Sequence, residues 1–71
     1  MRLKESVILA LKLAHREKRV IVVGRDDERW IMLPLEDSRS DLLSDSFIVT
    51  PEGLRYPEDE ARLAELVSQG W

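Results

Sequence analysis

No cysteine occurs in the 71 residues, which excludes disulfides and thiolate zinc sites within the chain. A single histidine excludes a multi-histidine metal site. The three glycines, Gly24, Gly53 and Gly70, are scattered. Phosphate loops and dinucleotide folds need glycines at fixed short spacing, so neither is expected. The longest apolar run, VILALKLA, is broken by Lys12 and falls far short of the ~20 residues of a membrane span. No signal-peptide pattern follows it, and the expectation is a cytoplasmic protein with no membrane partner.

What remains is 44% hydrophobic and 35% charged, the balance of a globular chain. Its length predicts one domain. A chain this short buries only about 60% of the surface it exposes when unfolded. Such domains commonly gain support from a metal, a disulfide or a partner subunit. With the first two set aside, the sequence points to a homo-oligomer or another protein. The net charge of −3 is unevenly spread. Residues 1–25 hold seven Lys or Arg against two acids, and residues 26–71 hold four against twelve. That asymmetry favours either an oriented partner or self-association through opposite ends.

The spacing of Leu3, Val7, Ala10, Leu11 and Ala14 predicts a helix over residues 2–18. Ile8, Leu9 and Leu13 lie outside its stripe, and Leu9 with Leu13 forms a second apolar ridge. Val20–Val23 and Trp30–Leu35 read as strands around the charged turn GRDDER. Pro34 assigns the second strand's end to an edge or a bulge. A helical turn is predicted at Ser40–Ser44 and a third strand at Phe47–Thr50. TPEG reads as a type I turn into a fourth strand, Leu54–Tyr56. Pro57 opens a last helix with acids in its first turn, a stripe of Leu63, Ala64, Leu66 and Val67, and Gly70 at its end. The class is α+β: an antiparallel sheet packed with two helices, in the order α-β-β-β-β-α.

No catalytic constellation stands out, and a non-enzymatic protein without cofactor is expected. His15 has no nucleophile at a recognisable spacing and reads as a surface residue. Asp26, Asp27 and Glu28 form a solvated turn flanked by Arg25 and Arg29. Asp37, Asp41 and Asp45 recur every four residues but lack the glycine and terminal glutamate of a calcium loop.

The stretch VIVVGRDDERWIMLPLEDSRSDLL, residues 20–43, resembles the hairpin of Phd/YefM-type antitoxins, in which two apolar strands flank a charged turn and an acidic step leads into a helix. The same stretch is similar to phage head–tail joining proteins of helix–hairpin–helix plan. Two unrelated families fit equally, so neither is assigned. The antitoxin resemblance implies a dimeric DNA-binding regulator, for which Lys12, Arg16, Lys18 and Arg19 are the candidate phosphate contacts.

Both strands of the hairpin are apolar at every position, which ordinarily means cover on both faces. Two helices can sandwich such a sheet. Otherwise both lie on one face and another molecule covers the other. The second arrangement makes Leu9, Leu13, Trp30 and Met32 the candidate partner-binding residues. The predicted function is protein–protein association by a regulatory, adaptor or inhibitor module, with the phage-type and DNA-binding readings as alternatives.

Overall fold

The computed structural model describes residues 2–71. Helix α1 spans Leu3–Glu17, followed by β1 (Ile21–Asp26), β2 (Arg29–Pro34), a 3₁₀ turn (Ser38–Leu42), β3 (Ser44–Thr50), β4 (Gly53–Leu54) and α2 (Asp59–Ser68). The strands form one antiparallel sheet in the order β2-β1-β3-β4. This is the α+β architecture expected from the sequence.

Helix α1 forms because four residues of its stripe, Leu3, Val7, Ala10 and Ala14, are all buried. Its first turn is held by the Arg2 N–H, which donates to Glu5 Oε1 at 3.2 Å. It ends where Lys18 enters the left-handed region at φ 53 and the Arg19 N–H reaches the Ala14 carbonyl at 3.2 Å. That closure is ordinarily a glycine's.

Strand β1 runs three residues beyond the predicted Val20–Val23, past Gly24 and Arg25 to Asp26, because the hairpin turn is only Asp27–Glu28. Asp27 takes φ 62, the left-handed geometry that matches strand twist. The pairing Ile21↔Pro34, Val23↔Met32 and Arg25↔Trp30 puts these residues on one side of the sheet. On β3, Phe47 and Val49 lie opposite Val23 and Ile21 and share that side. They join the α1 stripe in the core.

Other boundaries differ from the sequence expectation for local reasons. Strand β2 is shifted one residue earlier, to Arg29–Pro34, and β3 begins at Ser44, not at Phe47, because Ser44 pairs with Arg25 beyond a bulge. The 3₁₀ turn starts two residues early because Asp37 Oδ1 accepts the Arg39 N–H at 2.9 Å. Strand β4 stops at Leu54, its last sheet bond beyond that being the Arg55 N–H to the Ile48 carbonyl at 2.9 Å. Pro57 and Glu58 form a turn, through Asp59 N–H to Tyr56 O and Glu60 N–H to Pro57 O, so α2 begins at Asp59.

Helix α2 packs on the same side as α1, with Leu63, Leu66 and Val67 half-buried against the core and none of its residues fully buried. Two side chains pin it. The Arg62 guanidinium lies 4.0 Å from the centre of the Phe47 ring and donates to the Ser46 carbonyl at 2.7 Å. Beyond Gly70, at φ 102, Trp71 folds back and its N–H bonds the Leu66 carbonyl at 3.2 Å. The Trp71 ring meets Trp30 edge-on at 6.2 Å and carries the Arg25 guanidinium 4.8 Å from its centre.

Candidate association surface

With both helices on one side, the outer face of the sheet presents the alternate residues: Val22 and Gly24 from β1, Ile31 and Leu33 from β2, and Ile48 from β3. The 3₁₀ segment roofs part of this face. A Cβ built on Gly24 would lie 2.5 Å from Leu43 Cβ, so Leu43 rests directly on the Gly24 backbone. Val22 is buried beneath this cover. The rest is open: Ile31, Leu33, Leu42 and Leu43 line a shallow cavity of about 180 Å³ with Asp26 and Arg39 at its rim. Leu42 is 81% exposed and Leu35 42% exposed.

The four residues singled out in the sequence do not form one exposed patch. Trp30 is a core residue at 5% exposure, wedged between Trp71 and the α1 stripe. Its indole Nε1 is buried with no hydrogen-bond partner among the described residues. Met32 and Leu13 are half-buried and pack against the same core. Leu9 is exposed, as is its neighbour Ile8, and the two line a shallow depression with Glu5 and Lys12. Helical geometry gives the arrangement around α1. One flank faces β3–β4 and α2, since His15 Nδ1 lies 3.3 Å from the Pro51 carbonyl and Lys4 borders the groove beside α2. Leu9 and Leu13 occupy the other flank, toward β2.

Charge on this side is largely tied up. Arg19 bonds Glu36 at 2.6 Å and Glu17 at 3.5 Å, and Arg16 reaches Glu17 at 3.4 Å. Of the four candidate phosphate contacts, only Lys12 and Lys18 lack an ion-pair partner among the described residues. The Glu36 carboxyl is held below its ordinary range by its own backbone N–H and by Arg19, whose guanidinium is raised in turn. Asp37 falls to about 2, chiefly because the Arg39 side chain donates to it, with the Arg39 backbone N–H adding to the effect. This doubly bonded carboxylate anchors the 3₁₀ roof.

Asp26, Asp27 and Glu28 are exposed. Asp37, Asp41 and Asp45 share no face: Asp37 caps the 3₁₀ turn, Asp41 lies within it, and Asp45 pairs with Arg25 at 2.9 Å. Among the described residues no group of three His, Cys, Asp or Glu is placed to hold a metal, and no helix is long and apolar enough to cross a membrane. Leu42 and Leu35 were not anticipated as surface residues of interest. The signal was present in the leucine pair Leu42–Leu43, set in an otherwise polar connection.

The chain matches no protein family, no curated protein and no solved structure.

Proposed function

We propose that this is a non-catalytic association module, a regulator, adaptor or inhibitor that works by binding protein through the β2 side of its sheet. One observation carries the reading: both helices cover the same face, and the other, apolar face is roofed only by a 3₁₀ segment whose Leu42 stands 81% exposed. An exposed apolar cluster rimmed by charge, here Asp26, Arg29 and Arg39, is typical of a binding surface. Burial of each large apolar side chain there would contribute on the order of 1.5–3 kcal/mol. The α1 flank contributes Leu9, while Leu13 and Trp30 support the surface from the core.

The test compares baits. Wild-type protein is expected to retain a partner, its own copy included, and Leu42→Asp to lose it with an unchanged thermal melt. Leu9→Asp is likewise expected to fold, whereas Leu13→Asp unfolds because that leucine packs against the core. Full retention by both Leu42→Asp and Leu9→Asp sinks the reading.

A further inference from the structure

We propose that the partner at this surface is a second copy of the chain, added along the open edge of β2 so that the two β2 strands run antiparallel about a twofold axis at Ile31. The inference rests on the association reading above and names its occupant.

Strand β2 is the outermost of the sheet. The Leu35 N–H bonds the Val20 carbonyl at 3.1 Å, which sets the alternation of the ladder. Arg29, Ile31 and Leu33 therefore turn their backbone groups toward β1, and Trp30, Met32 and Pro34 turn theirs outward. Pro34 has no N–H, and its carbonyl already accepts the Asp37 N–H at 3.0 Å. The open edge thus consists of the N–H and C=O of Trp30 and of Met32. An axis at Ile31 sets Trp30 of each copy opposite Met32 of the other. Every open donor then meets an open acceptor, in four hydrogen bonds with none left over.

The side chains agree with the backbone. A strand entering here lies between apolar groups on both sides. Met32 and the Leu9–Leu13 flank stand on the helix side, and Ile31, Leu33 and Leu42 on the other. Only a strand apolar at successive positions fits, and Trp30–Ile31–Met32–Leu33 is such a strand. The same register carries the acidic turn Asp26–Glu28 of each copy to the far end of β2 in the other, where Arg19 is already paired with Glu36 and Glu17, so the backbone and the apolar side chains carry the pairing and charge does not.

In this register Ile31 faces its own copy at a non-hydrogen-bonded position, with Cα atoms about 4.5 Å apart, inside the roughly 4.4–6.8 Å span of a disulfide. The native chain has no cysteine, so single-cysteine variants report cleanly. Under mild oxidation Ile31→Cys is expected to cross-link to a covalent dimer. Leu33→Cys, whose two copies would lie about 13 Å apart along the strands, is expected to stay uncross-linked. Sedimentation of the wild type should give twice the 8.2 kDa chain mass. Ile31→Lys, which sets like charges on the axis, should halve that mass while still melting cooperatively, at a midpoint that no longer depends on protein concentration. Amide protons of Trp30 and Met32 should gain protection from exchange as concentration rises. Equal cross-linking of the two cysteine variants, or a wild type that stays monomeric to millimolar concentration, overturns the inference. A monomer whose bait still loses a captured protein on Leu42→Asp leaves the association reading standing, with a different protein as occupant.

Discussion

At Gly24 the chain has room for a hydrogen and nothing larger. The residue lies mid-strand opposite a bulge, where Val23 pairs with Phe47 but Arg25 pairs with Ser44 and Asp45 turns to φ 52. Leu43 presses on it from the outer face. Gly24→Ala is therefore expected to destabilise the fold by about 1–3 kcal/mol through overpacking, read as a lower urea midpoint at constant slope. Adding Leu43→Gly should recover part of that loss, because the second substitution removes the Cβ, Cγ and Cδ1 atoms the new methyl meets. A double-mutant cycle showing no coupling between the two would mean that Leu43 does not rest there. In the sequence Gly24 was visible only as a strand boundary, since the need for a small residue arises from a contact with a segment 19 positions later.

At the level of elements, α1 and the hairpin were legible and the roof was not. The helix announced itself because its buried positions recur with the helical period and all point to one partner, the sheet. The hairpin was plain from its two apolar runs, but alternation cannot say which face meets the helices when both faces are apolar. For that reason the sequence left Trp30 open between core and interface; it lies in the core beside Trp71, while Ile31 next to it faces outward. The 3₁₀ turn was expected two residues late, at Ser40–Ser44, and its place over the sheet escaped because SRSDL carries no apolar period. It is held in place by Asp37. That carboxyl is lowered to about 2 by Arg39, below its unfolded value near 3.9, so its support is fully present above about pH 4 and is lost as pH falls through 2. An NMR titration should place the Asp37 midpoint near 2, and amides of residues 38–43 should lose exchange protection over that window. A midpoint near 4 would contradict the paired geometry.

For the molecule as a whole, the first helix and the last residue are joined. The Leu3 N–H donates to the Trp71 carbonyl at 2.9 Å, and the Trp71 ring sits between Trp30 and Arg25. Since α2 has no fully buried residue of its own, and ten residues are too few to sustain an isolated helix, its place depends on this clasp and on Arg62. Trp71→Ala is expected to cost about 2 kcal/mol, less than the roughly 3–5 kcal/mol of a fully buried tryptophan, because the ring is half-exposed. Amide exchange in α2 should quicken much more than in α1. Uniform acceleration across both helices would show that α2 is not held by its end.

The two borders of the sheet are unlike each other. Strand β2 offers a usable edge, but β4 is two residues long and is followed at once by a turn at Pro57. A strand that docks at β2 finds no matching border on the far side from which a third could continue. Growth of the sheet would end there: any assembly that forms through β2 is expected to stop at a finite size, and concentrated solutions should stay free of filaments.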